Sequence, residues 1–332
     1  MAPARVRKPT KVRAWPELTG FQPIMPVSVD PRRSQESRDT IEIDMAGLRA
    51  LSATGLATFA LQLLPHASSG SRFTFRSGMA ERTRRLLTHL NFFSILENPE
   101  EDAQLTQWDL DDLIQGDIHV SQGLPVIRLR FSDYTHDERR RIAREFTAQL
   151  REQLDRTPVA TVPGLNGLLM LLHEIAKNAA DHSDADAVFG LDWEEGGGGV
   201  TRLRFVFGDM GPGIKEHITR HSTLAREERR RHMSLYEAYR LALLPGFTSG
   251  SNPSHNRGLG MSIILDAARA LGLHLSVFDA WSRGVLTALV DLTAPSHSSI
   301  RRAFHNVGHD TRFMYFGEQL LTSSRYADEV SE

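Results

Sequence analysis

Residues 171–183 read LLHEIAKNAADHS. Leu165, Leu168, Leu169, Leu172, Ile175, Ala176 and Ala179 recur at helical spacing through this part of the chain, which predicts an amphipathic helix with one packed face. Glu174, Asn178 and His182 stand four apart on another stripe of the same helix, where ~100° per residue confines them to an arc of roughly 80°. A carboxylate, an amide and an imidazole in line are also what a solvated helix face presents. Taken alone, the stripe carries no chemistry.

Two stretches downstream change its weight. VFGDMGPGI (206–214) puts Asp209 where a strand ends, followed by Gly211 and Gly213. Glycine takes positive φ freely and lets backbone approach a ligand closely. A carboxylate at such a strand end can accept a hydrogen bond from an exocyclic amine, although a plain Asp-Gly turn has the same appearance. GFTSGSNPSHNRGLGMSII (246–264) is a polar, glycine-rich loop running directly into a helix, whose first N–H groups suit phosphate. Between and around them, AVFGLDWEE and VTRLRFVFGD read as strands joined at Gly196–Gly199, and 216–244 as a long helical stretch. MSIILDAARALG (261–272) reads as a helix, and LHLSVFDA with VLTALVDL as a hairpin around WSRG.

In this order the three stretches resemble the ATP-binding domain of the GHKL superfamily, which includes gyrase B, the large heat-shock chaperones, histidine kinases and MutL. The resemblance covers about residues 160–292. Residues 174–182 are similar to its N box, DMGPG to its D-x-G-x-G box, RGLGM to its lid box and GVLTALVDL to its closing strand. It implies a Bergerat-type α/β sandwich, a mixed sheet covered by helices, that binds ATP with Mg2+. On these positions it implies Asn178 as the Mg2+ ligand, Glu174 as general base and Asp209 as the holder of the adenine amine. Gly211 and Gly213 would pass under the base, Gly258, Leu259 and Gly260 would cradle phosphates, and Thr287 would lie near the adenine. His182 takes a place where many members carry a basic residue near phosphate, and Arg257 is a further cofactor-binding candidate. Asn256 stands where many members have the first lid glycine, and Met261 where they have leucine. REERRRH (226–232) is net basic, as a solvated helix face can be. HITRH (217–221) spaces two histidines by four but lacks the glutamate of a zincin motif, so a metal site is not expected there.

The chain before this domain has its own pattern. TIEIDMAG (40–47) and SRFTFRS (71–77) alternate like strands, SATGLATFALQLLPHA and MAERTRRLLTHLNFFSIL (79–96) are amphipathic like helices, and LPVIRLRFSDY (124–134) adds a strand. In SATGLATFALQLLPHA, Leu56, Phe59, Ala60, Leu63 and Leu64 carry the helical period and Pro65 is expected to end it. Residues 24–96 resemble the STAS domain of anti-sigma-factor antagonists, which implies a phosphoacceptor in the stretch Ser52-Ala53-Thr54-Gly55, with Thr54 in its place. Thr54 as a helix N-cap is the structural alternative. The expected organisation is a basic tail at 1–20, a STAS-like α/β domain at 21–132, a linking helix at 133–157, the ATP-binding domain at 158–295 and a C-terminal extension at 296–332. That extension shows little pattern except TRFMYFGEQLLTSS.

Composition bounds the reading. The 332 residues are 40% hydrophobic and 24% charged with a net charge of −2, which is globular composition and not that of a dedicated nucleic-acid binder. There is no cysteine, which excludes disulfides and thiolate metal sites and fits a reducing, cytoplasmic setting. No apolar run approaches the ~20 residues that span a bilayer, and the basic N-terminus lacks the apolar core of a secretory signal. The expected activity is that of a Mg-ATP-dependent regulatory protein, either hydrolysing ATP or phosphorylating a protein serine or threonine in a partner-switching signalling system. The alternative is a non-catalytic, ATP-gated interaction switch. A DNA-acting ATPase ranks last, because residues 293–332 are short for a transducer domain. A protein partner and a homodimer are implied by such families, whereas membrane and nucleic acid are not.

Overall fold

The structure, a computed structural model, describes residues 10–13, 17–18, 40–44, 50–68, 72–75, 81–96, 119–183, 185–196, 199–211, 213–214, 218, 238, 241–242, 260–281, 286–291, 300–303 and 312–320. It is a mixed α/β fold built on one large sheet that is antiparallel throughout, not the mixed sheet expected. In chain order its elements begin with β1 (Thr10–Arg13), β2 (Glu17–Leu18), β3 (Thr40–Asp44), β4 (Ala50–Leu51), α1 (Ala53–Ser68), β5 (Arg72–Phe75), α2 (Glu81–His89), α3 (Phe92–Ile95) and β6 (His119–Val120). There follow β7 (Gln122–Gly123), β8 (Ile127–Leu129), α4 (His136–Leu154), α5 (Leu165–His182), β9 (Ala187–Gly196) and β10 (Gly199–Asp209). The last are α6 (Gly260–Ala270), β11 (His274–Trp281), β12 (Leu286–Asp291), β13 (Ile300–Ala303) and β14 (Arg312–Leu320). Among the described residues no helix is long and apolar enough to cross a membrane.

The large sheet has eight strands, ordered β13-β12-β11-β14-β10-β9-β7, with β8 also paired to β9. Along β9 and β10 the side chains alternate between its faces. Phe189, Leu191, Trp193, Leu203, Phe205 and Phe207 point into the core formed with α4, α5 and α6. All seven apolar positions read from the period of α5 are buried there, joined by Leu171 and Ala180. Phe146, Leu150 and Leu154 bury the α4 stripe in the same core, while Ile142 is only partly buried and Ala143 is fully so. The charged helix 136–154 is thus a layer of this body.

The opposite face of the sheet is covered by α1. Residues 51–64 are buried without a break, because α1 lies between the large sheet and the two small parallel sheets β1-β3-β5 and β2-β4-β6. Val126, just before β8, and Val188 and Val206 of the large sheet share one core with Leu56, Phe59, Leu63 and the aromatic cluster of Phe92 and Phe93. Such a sandwiched position calls for apolar residues on all sides, and α1 supplies them apart from the buried Thr54, Thr58 and Gln62. Gly190 makes the close approach feasible: a methyl group built there would lie 2.4 Å from the carbonyl oxygen of Ala53.

Several local expectations are corrected. The strand read at 124–134 is short, and β8 pairs with β9 through Ile127 and Phe189, so this segment belongs to the large sheet. Period alone cannot say which sheet a strand joins. The second helix breaks at Asn91, which takes a left-handed conformation (φ 63°) and donates from Nδ2 to the carbonyl of Val126 at 3.0 Å. Pro65 does not end α1, which runs on to Ser68. The C-terminal extension supplies β13 and β14, and β14 sits inside the sheet between β10 and β11. The helical stretch read at 216–244 lies almost wholly outside the described residues.

Candidate functional site

The C-terminal end of α5, the C-terminal end of β10 and the first turn of α6 converge at one end of the sheet's central strands. Glu174, Asn178 and His182 are all partly buried on α5, as their stripe predicts. Asn178 faces the start of α6 so closely that a methyl group built on Gly260 would lie 2.8 Å from its Oδ1. Two residues far apart in sequence, one from the N-box-like stretch and one from the lid-box-like stretch, therefore touch. Glu174 is paired with Lys177 one turn on, Nζ to Oε2 at 3.2 Å.

Asp209 ends β10 and is buried. Its Oδ1 accepts the N–H of Gly211 at 2.8 Å, the one hydrogen bond to this carboxylate among the described residues. Burial raises its pKa to about 7, against a smaller lowering by that hydrogen bond. A methyl group on Gly211 would lie 2.6 Å from Cβ of Ser183 and 2.7 Å from Asp209 Oδ1, so only glycine fits. Gly213 requires glycine for another reason, its φ of 77°. Ser183 caps the end of α5, donating from Oγ to the carbonyl of Ala179 at 2.8 Å. The Met210 N–H also bonds to the carbonyl of Asp186 at 3.1 Å. The end of α5 and the end of β10 are thereby locked together beside a carboxylate with acceptor capacity to spare.

Thr287 is not part of this arrangement. It lies in β12, paired with Ala280 and Ala303, and the strand order places β11 and β14 between β12 and β10. Three inter-strand steps put it about 14 Å from the strand that carries Asp209. Phe313 of β14 stands opposite Asp209 instead. The sequence places VLTALVDL next to its hairpin partner, and nothing in its pattern reveals that a later strand enters the sheet on the other side of that partner. Arg257, Gly258 and Leu259 lie outside the described residues, as do His217, His221 and residues 226–232. Among the described residues no group of three or more His, Asp or Glu side chains is placed to hold a metal ion.

Thr54 is fully buried at the start of α1. Its N–H donates to Asp192 Oδ2 at 3.1 Å, its hydroxyl donates to the same oxygen, and its Oγ1 is 3.1 Å from Ser52 Oγ. The capping role falls to Ser52, whose Oγ accepts the N–H of Gly55 at 3.1 Å. Asp192 also binds Arg204 Nε at 2.7 Å, and Arg204 Nη2 lies 3.1 Å from Glu194. In this arrangement a phosphoacceptor role for Thr54 is closed off, because the hydroxyl is sealed between α1 and β9. Sequence reasoning missed Asp192 and Arg204, although a charge inside the apolar runs of AVFGLDWEE and VTRLRFVFGD is itself a signal of a buried partner. It also missed Lys177 and Ser183, which look like ordinary surface positions.

A comparison with protein-family models and with curated proteins finds no match to this chain.

Proposed function

We propose that the edge formed by α5, β10 and α6 is a GHKL-type Mg-ATP site on a Bergerat-type sandwich, and that the N-terminal region is a STAS-like partner of it. The observation that carries this reading is the convergence itself. Asp209 is a buried strand-end carboxylate with one described hydrogen bond, Gly211 has no room for a side chain, and Asn178 meets the first residue of α6. The residues fit the group. Asp209 retains lone pairs for an exocyclic amine, Asn178 offers a hard oxygen to Mg2+, and the N–H groups that open α6 suit phosphate oxygens. His182 lies on the same stripe of α5 as Asn178, one turn on.

Bound there, ATP supplies a transferable phosphoryl group. On this reading Glu174 takes the proton of an attacking hydroxyl, whether of water or of a protein serine or threonine. The Lys177 ion pair occupies Oε2 of Glu174, and this contact favours the second reading, an ATP-gated interaction switch without turnover. In either case the expected setting is a cytoplasmic signalling protein that works on a protein partner.

Titration calorimetry with ATP and Mg2+, on the wild type and on Asp209→Ala and Asn178→Ala, tests the site. Binding lost in both variants supports it, and no binding by the wild type refutes it. Incubation with γ-labelled ATP then separates the outcomes. Phosphate released only when Glu174 is intact means hydrolysis, label on protein means kinase activity, and binding with neither means the switch.

A further inference from the structure

TRFMYFGEQLL alternates so that Tyr315, Gly317 and Gln319 fall on one face of β14, the face that carries α6. Both polar side chains of that face are buried, and each is spent on α6. The Tyr315 hydroxyl donates to Met261 Sδ at 3.2 Å, in the first turn of the helix. The Gln319 Nε2 donates to the carbonyl of Leu271 at 2.7 Å, just past its last turn. Between them Gly317 leaves the space that the Phe205 ring fills, since a methyl group there would lie 2.1 Å from the ring. The strand thus holds the helix at both ends and cannot slide past β10 without driving its backbone into that ring. Met261 directly follows Gly260, the residue pressed against Asn178.

We infer that β14 is a clamp on α6, and that Tyr315 and Gln319 are positioning residues for the phosphate end of the nucleotide site. The inference rests on the nucleotide reading given above. A buried tyrosine hydroxyl or glutamine amide requires a partner, and a core position of β14 needs neither group for packing alone. Placed as they are, the two groups set how far α6 stands along its axis. That distance decides whether its first N–H groups and Asn178 face the same phosphates. The base end of the site, built from Asp209 and Gly211, stands on β10, which meets β14 through backbone pairing, and does not draw on the Tyr315 and Gln319 side-chain bonds to α6.

The two ends give the test its discrimination. Affinities for Mg-ATP and for adenosine are measured by calorimetry on the wild type, Tyr315→Phe, Met261→Leu and their double variant. Loss of one neutral hydrogen bond is expected to weaken ATP binding by about five-fold in each single variant. The double variant should lose no more than either single one, and adenosine binding should hold in all three. Unchanged ATP affinity in Tyr315→Phe overturns the inference while leaving the nucleotide reading intact. So does an equal loss for ATP and adenosine accompanied by a lower unfolding temperature, which marks a general packing role. A wild type that binds neither ligand overturns both.

Discussion

Asp209 is the residue whose environment makes the sharpest demand. Desolvation raises its pKa from 3.8 to about 7 in the folded protein, while the unfolded chain keeps the ordinary value. A raised carboxyl pKa means the folded state holds a proton that the unfolded state has already lost. Stability therefore falls as pH rises from about 4 towards 7, by up to 1.36 kcal/mol per unit, and the full interval is worth about 4 kcal/mol. Below that window both states are protonated, and above it both are ionised and the penalty is constant. Asp209→Asn keeps an oxygen for the Gly211 N–H and cannot ionise. Urea unfolding of the wild type and the variant across pH 4–8.5 should show near-equal stabilities at the acid end. The variant should pull ahead by about 4 kcal/mol at the alkaline end. Taking the difference cancels every other titrating group. A difference that stays flat across this range would refute the reasoning, because the carboxylate would then be solvated or fully paired. The same logic reaches function. An amine that donates to Asp209 favours its ionised form, so nucleotide binding near pH 6.5 should release a proton. The release is read from the dependence of binding heat on the ionisation enthalpy of the buffer.

Four further outcomes are expected. Asp186 is buried, which raises its pKa, but the backbone and side-chain hydrogen bonds from Ser132 and the Arg128 guanidinium outweigh this and hold it below the usual value. Its stabilisation is present at neutral pH and is lost as pH falls through the folded value, so Asp186→Asn should flatten the acid limb of a pH–stability profile. Asp192→Ala leaves Arg204 buried without its closest partner and the start of α1 without its acceptor, and should cost roughly 3–5 kcal/mol in urea unfolding. Thr54→Val, which puts a methyl group where the hydroxyl meets Asp192, should cost about 1–3 kcal/mol. Gly190→Ala forces a methyl group against the first turn of α1, where 2.4 Å to a backbone oxygen leaves no escape by side-chain rotation. A loss of about 1–3 kcal/mol is expected in the same measurement, and none at all would show that α1 stands off the sheet.

Much of the local structure is legible in the chain. The helical period of α5, the strand alternation of β9 and β10 and the helix that starts at Gly260 each follow from patterns of a few turns or a few pairs. The packing of Gly211 on the end of α5, and of Asn178 on the start of α6, is legible only when the three short stretches are read together. What the sequence hides is long-range pairing. The alternation of TRFMYFGEQL is as good a strand signal as that of VLTALVDL, yet the two differ in which side of β11 they occupy. Only the fit of Gly317 beneath Phe205 and the reach of Tyr315 and Gln319 to α6 distinguish them. The place of β8 is hidden for the same reason. The unbroken burial of residues 51–64 was legible as apolar content but not as a helix shared between two sheets.

The position of α1 bears on how the two halves can communicate. A helix that is buried on all sides cannot leave the large sheet without exposing Val126, Val188 and Val206 together with its own apolar surface. The polar seam inside that contact, Thr54 with Asp192 and Arg204, adds direction to what apolar packing alone would leave free to slide. Arg128 adds a second fixed point, reaching from β8 to the carbonyl of Ile95 at 2.8 Å and to Asp186 at 2.6 Å. Asp186 in turn receives Met210 through its backbone, one residue after Asp209. The N-terminal region is therefore joined to the end of β10 through an unbroken run of hydrogen bonds: Ile95, Arg128, Asp186, Met210. A change at the end of β10, where Asp209 and Gly211 lie against the end of α5, has a hydrogen-bonded route to the far face of the sheet, and the route passes through Asp186.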